Sequence, residues 1–164
     1  MTTIVRGRIW NFGDNINTDN MSPPQYIPLG IPEVARHCLE AVRPEFAREA
    51  RIGDMIVAGT NFGTGSSRET APAAIKELGI SLIIAKSFSR IFFRNSVDIA
   101  LPIMICQEAN GLTDDGDILS VDFDTGLIRN ETRGKEFWAN PLPPTMMEIV
   151  RAGGLISYAI KEGW

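Results

Sequence analysis

The segment Asn61-Phe62-Gly63-Thr64-Gly65-Ser66-Ser67-Arg68-Glu69 sets two adjacent hydroxyls and a guanidinium directly after a glycine turn. Gly63 and Gly65 permit positive φ and close backbone approach. The pattern predicts a helix from Ser66 to Leu78, and the free N–H groups at such a helix start favour negative charge. Arg68 adds a planar fork suited to a carboxylate. Together these features describe an anion site in which a hydroxyl's ionised form gains support from surrounding donors. The run Ser66-Ser67-Arg68-Glu69 also satisfies the S-x-x-E capping box, which only starts a helix; the two readings are compatible and both stand. Neither the Gly-Lys-Ser/Thr ending of a phosphate-binding loop nor a G-x-S-x-G elbow is present. His37 is the sole histidine, so a Ser-His-Asp triad made within this chain would need a distant loop residue.

An α/β scaffold is expected to position this turn. Ile4 to Asn11 alternates as a strand and ends at the turn-forming run Gly13-Asp14-Asn15. From Asn15 to Gly30 polar residues and prolines argue against helix or central strand, and a loop of this length is usually functional or disordered. Ile31 to Glu49 reads as helix in pieces, because Pro32 suits a first turn and Pro44 interrupts one. Met55 to Gly59, Ser81 to Ala85 and Leu101 to Cys106 are short apolar strands, separated by helices at Ser66 to Leu78 and Phe88 to Val97. This β-α-β-α-β succession implies parallel strands with right-handed crossovers. Ile118 to Phe123 and Leu127 to Asn130 then flank Asp124-Thr125-Gly126 as a hairpin, and Pro144 to Ala152 is a closing helix before Gly153-Gly154.

Composition bounds the partners. A chain of 164 residues at 44% hydrophobic content is expected to form one domain, residues 1–164. Its net charge of −4, with acidic and basic residues interspersed, offers no footprint for nucleic acid. Neither a signal pattern nor an apolar run of spanning length is visible, so a soluble cytoplasmic protein is expected, with no membrane association. Cys38 and Cys106 are too few for a disulfide framework and lack CxxC spacing, so no metal centre is expected from this chain alone. His37 and Cys38 read as a solvent-facing histidine and a packed thiol. Lys86, Arg90 and Arg94 read as a basic set that is solvated or meets another chain, and the three tryptophans are scattered.

The motifs Val57 to Glu69 and Ile84-Ala85-Lys86-Ser87-Phe88-Ser89-Arg90-Ile91-Phe92-Phe93-Arg94-Asn95 resemble those of the 3-isopropylmalate dehydratase small subunits and the swivelling domain of aconitases. Gly13-Asp14-Asn15-Ile16-Asn17-Thr18-Asp19 and Ala152-Gly153-Gly154-Leu155 match that family's opening and closing motifs, so the resemblance spans nearly the whole chain. It implies a β/β/α swivelling domain closing over a large subunit that carries a [4Fe-4S] cluster, which acts as Lewis acid in a hydro-lyase reaction. Ser66 would then be the general base that removes the proton alpha to a carboxylate. Arg68 would bind substrate carboxylate, Ser67 would support it by hydrogen bonds, and Asp19 would join the polar lining. Self-association of small subunits stays open.

Two departures stand out, for the family commonly has Cys at the position of Thr64 and His at that of Thr70. Thr64 keeps a small hydrogen-bonding side chain in the substrate site, whereas Thr70 does not titrate as histidine does. In the family, the loop at about 20–36 selects substrate. Here it offers Tyr26, Ile27, Pro28 and Leu29, with no basic residue between Arg8 and Arg36. An alkyl substituent is welcome beside such residues and a further carboxylate is not. The expected substrate is therefore 3-isopropylmalate, of leucine biosynthesis, or else 2,3-dimethylmalate or 2-methylmalate/citraconate. A catalytically silent anion-binding or regulatory module is the alternative from another class.

Overall fold

The structure, a computed structural model, describes residues 4–164. Four strands run parallel: β1 (Ile4–Asn11), β2 (Met55–Ala58), β3 (Leu82–Ala85) and β4 (Ile103–Ile105). Three more, β5 (Ile118–Asp122), β6 (Leu127–Asn130) and β7 (Lys135–Trp138), continue antiparallel from the far edge of β1. The strand order is β4-β3-β2-β1-β5-β6-β7. The helices are α1 (Thr18–Met21), α2 (Ile31–Arg36), α3 (Phe46–Glu49), α4 (Thr70–Glu77), α5 (Arg90–Asp98), α6 (Pro144–Arg151) and α7 (Leu155–Lys161), with a 3₁₀ turn at Pro24–Leu29.

Every residue of β2 and β3 is buried, as expected of parallel strands covered on both faces. Their period of two divides the apolar side chains between two layers. Ile56, Ala58, Ile83 and Ala85 pack with Val34 of α2, Ile75 of α4 and Phe92 of α5. Met55, Val57, Leu82 and Ile84 instead pack with Leu119, Val121, Ile128 and Phe137 from the antiparallel strands. The antiparallel half therefore folds over the second face of the parallel half, and the layers run β/β/α as the swivelling fold requires. Burying each large aliphatic side chain contributes about 1.5–3 kcal/mol, so this double layer anchors the loops that leave its strand ends.

Several expectations need correction. The helix expected from Ser66 begins at Thr70, and its N-cap, Glu69, makes no side-chain capping bond. Tertiary bonds are the reason: the Ser66 carbonyl accepts from Arg68 N at 2.9 Å in a tight turn and from Thr18 Oγ1 at 2.9 Å, so the capping box does not form. Within the expected loop, Asn17 caps α1 by accepting from Asn20 N at 2.9 Å, and Pro24 opens the 3₁₀ turn. Strand β7 was not expected, because Phe137 is its single buried residue and leaves little pattern to read. Nor was α7, which buries none of its side chains and follows two glycines that look like a terminus.

Candidate active site

Because β1, β2 and β3 are parallel, the loops that follow them, residues 12–17, 59–69 and 86–89, leave the same end of the sheet. The carboxyl end of parallel strands is where such sheets build ligand sites. The first two loops are stitched together by Gly63 N donating to Ile16 O at 2.8 Å and Thr18 N donating to Thr64 O at 2.9 Å. The third joins through Ser89, whose Oγ donates to Gly63 O at 2.7 Å while it caps α5. Gly63 cannot be replaced simply: its φ is +87°, and an added Cβ would lie 2.3 Å from Phe92 Cγ.

This stitching presents Ser66 to solvent at the rim. The buried Thr18 hydroxyl is spent on the Ser66 carbonyl, so at 3.4 Å the Ser66 hydroxyl is the one placed to donate to Thr18 Oγ1. Arg68 folds back toward α1, where Nη2 meets Asp19 Oδ1 at 3.2 Å and Nη1 donates to Ser22 O at 3.3 Å. This pair is partly exposed and adds little stability. Its value is orientation: two contacts fix the guanidinium and leave it donors to spare for a carboxylate. Thr70 Oγ1 lies 2.6 Å from Ser22 Oγ, so this threonine latches the start of α4 to the end of α1.

Asp19, Thr64, Ser66 and Arg68 are thus brought into one neighbourhood. Ser67 is exposed, and among the described residues its hydroxyl has no hydrogen-bond partner. The Pro24–Leu29 turn reaches the site along the chain through α1; Tyr26 and Ile27 are half-buried against the core, whereas Pro28 and Leu29 are exposed. Beside Ser66 opens a cleft of about 1200 Å³ lined by Arg90, Ile91, Phe93, Arg94 and Met146 among others. Reading the sequence alone missed Thr18, Ser22 and Thr70 as supports of the site. Thr18 stands in the quoted opening motif, but its contact with Ser66 crosses 48 residues and leaves no local signal.

Asp14, at the mouth of the first loop, accepts from Thr60 N at 2.7 Å, and this bond, ahead of Lys86, lowers its carboxyl pKa. The two cysteines are buried, and desolvation pushes both thiols up. Among the described residues no three His, Cys, Asp or Glu side chains gather to hold a metal, and no helix is long and apolar enough to cross a membrane. His37 departs from its expected solvent-facing role, for it is stacked on Tyr26 between two glutamates.

Residues 15–108 match the aconitase C-terminal domain. Over 158 residues the chain is 49% identical to a 3-isopropylmalate dehydratase small subunit of Hydrogenobaculum sp. (strain Y04AAS1), covering 95% of this chain and 96% of that one. It is 47% identical over 162 residues to a methanogen homoaconitase small subunit of Methanothermobacter thermautotrophicus, covering 98% and 94%. The crystal structure of 3-isopropylmalate dehydratase from Methanocaldococcus jannaschii matches with a TM-score of 0.92 at 39% identity, covering 97% of this chain and 95% of that chain.

Proposed function

The chain belongs to the family of 3-isopropylmalate dehydratase small subunits, with an aconitase-type swivelling domain, and from that premise we propose that Ser66 and Arg68 are its contribution to a hydro-lyase site shared with a large subunit. The relatives are dehydratases, and a small subunit implies a larger partner. The observation that carries the proposal is the exposed Ser66 hydroxyl on a turn hydrogen-bonded to the first loop, two residues from a guanidinium already oriented by Asp19.

On this reading Arg68 binds the substrate carboxylate, and Ser66 accepts the proton from the adjacent carbon. The C–H electron pair forms the double bond as the neighbouring C–O bond breaks and the hydroxyl leaves. A serine hydroxyl is a weak base and serves only where nearby charge supports its ionised form. With the helix start displaced to Thr70, that support falls to Arg68 and to the closed complex. Thr64 and Ser67 complete the polar rim. The described residues of this chain do not fit an iron–sulfur cluster as ligands, so the [4Fe-4S] cluster that the family implies is assigned to the large subunit, where it would supply a Lewis acid for the leaving hydroxyl. A cytoplasmic location belongs to the same proposal.

Residues 20–36 are proposed as the selectivity loop within a single domain, residues 1–164. Pro28 and Leu29 are exposed apolar groups, Leu29 by 66%, and no cation lies between Arg8 and Arg36. Such a surface takes an alkyl substituent and leaves a third carboxylate unpaired, which favours 3-isopropylmalate, of leucine biosynthesis, over homocitrate. The homoaconitase relative makes the tricarboxylate the competing reading.

The test is anaerobic reconstitution with the large subunit and competition among 3-isopropylmalate, 2,3-dimethylmalate, citrate and homocitrate. Ser66→Ala should lower kcat on the order of 10²- to 10⁴-fold. Retained turnover in that variant removes Ser66 from the role of base, and a preference for homocitrate reverses the assignment of substrate. Tight pairing without any turnover would leave the silent anion-binding module.

A further inference from the structure

His37 takes no part in the chemistry above, yet its ring is held on three sides next to the proposed selectivity loop. It stands at the C-terminal cap of α2 and lies face to face on Tyr26, with ring centroids 3.6 Å apart and planes 6° from parallel. Both ring nitrogens meet carboxylates: Nδ1 is 2.7 Å from Glu40 Oε2, and Nε2 is 3.3 Å from Glu33 Oε1. A neutral imidazole carries one N–H and satisfies only one of these acceptors, whereas the imidazolium satisfies both. Stacking of a cation on the phenol ring adds to the same preference.

The Pro24–Leu29 turn depends on what covers it. It has no side-chain cap, contains Pro28 without an N–H, and is closed by Tyr26 N to Pro23 O at 3.1 Å and Gly30 N to Ile27 O at 3.2 Å. Its inner side rests on the core through Tyr26 and Ile27. His37 covers the Tyr26 ring, and two carboxylates grip His37.

We propose that His37 is a positioning residue: clamped by Glu33 and Glu40, its imidazolium fixes the Tyr26 ring and through it the turn that presents Pro28 and Leu29 to the substrate's substituent. The proposal rests on the reading of that turn as the selectivity element. The ring's pKa is raised above 6.5, first by its hydrogen bond to Glu40, against a smaller desolvation effect that lowers it, with Glu33 adding to the rise. Arg36, 3.9 Å from Glu33, adds a charge beside the clamp, and the Pro24–Leu29 turn brings none. Above its pKa the ring presents a lone pair to one carboxylate, so the clamp loosens as pH rises through that value.

Two measurements test this. In the untagged full chain the single imidazole is followed by NMR together with the methyl groups of Ile27 and Leu29. The imidazole should titrate above 6.5, Glu40→Gln should lower that value, and the methyl resonances should follow the same titration. In the complex with the large subunit, His37→Ala should raise KM for 3-isopropylmalate about tenfold while kcat stays within about twofold. Glu33→Gln combined with Glu40→Gln should flatten the rise of KM with pH. Methyl resonances blind to the titration overturn the proposal, as does an unchanged KM in a folded His37→Ala protein. A wild-type complex that ignores alkylmalates fails the substrate reading instead, and the methyl titration then decides the positioning role alone.

Discussion

Asp54 shows how much one side chain carries in this molecule. It is 4% exposed and accepts from Arg8 Nη2 at 2.8 Å, Trp10 Nε1 at 2.9 Å and Arg51 N at 2.9 Å. Burial raises its carboxyl pKa, but Arg8, Arg51 N and Trp10 together outweigh burial and leave it below the usual carboxylate value. A carboxyl more acidic in the folded state than in the unfolded one stabilises the fold above its unfolded pKa, and that stability is lost as pH falls through the folded pKa. Asp54→Asn should therefore cost about 2–3 kcal/mol near neutral pH, discounted for the partly exposed Arg8. Urea denaturation should show the gap to wild type closing once pH drops below about 4. Equal stability at neutral pH would mean that the three bonds merely replace solvent. None of this is legible in the sequence, because Arg8 and Trp10 lie on β1 and Asp54 just before β2, and they meet only once the two strands pair.

At the level of elements, the glycine turn and α5 are one unit. Phe92 occupies the space beside Gly63, and Ser89 ties the start of α5 to the Gly63 carbonyl. Gly63→Ala introduces both a strained positive φ and an overlap with Phe92, so it should destabilise the protein by about 3 kcal/mol. Activity of the complex should fall further than stability alone explains, because the turn also carries Ser66. Full stability in that variant, measured by thermal unfolding, would show that α5 can move aside. The turn itself was legible as Gly63-Thr64-Gly65, a local pattern. The helix start after it was not, since Thr18 captures the Ser66 carbonyl that a capping box would have left to the helix.

Across the whole molecule, burial is graded from the middle of the sheet outward. Strands β2 and β3 are buried throughout and lie between both core layers, while β7 is an edge strand with Phe137 as its single buried residue. Native-state hydrogen exchange should protect the amides of Val57 and Ile84 longest and those of β7 least among the strands. Uniform protection would mean that the parallel and antiparallel halves open together. The same gradient suits a swivelling domain: the turn proposed to carry Ser66 into the site springs from the most deeply buried strands, leaving the antiparallel half free to vary.

Local signals settled much of this protein. Alternation marked β1, continuous apolar runs marked β2 to β4, an Asp-Thr-Gly turn marked the β5–β6 hairpin, and the glycine-serine-arginine run marked the turn that carries Ser66. These features depend on residues a few positions apart, where pattern and backbone preference act directly. The folding of the antiparallel half over the parallel half, the late start of α4, the Thr18 and Ser22 supports and the His37–Tyr26 stack belong to the tertiary structure. Each joins chain segments that sequence order does not pair, and a polar side chain's partner is chosen by whichever group the packed sheet brings within hydrogen-bond reach.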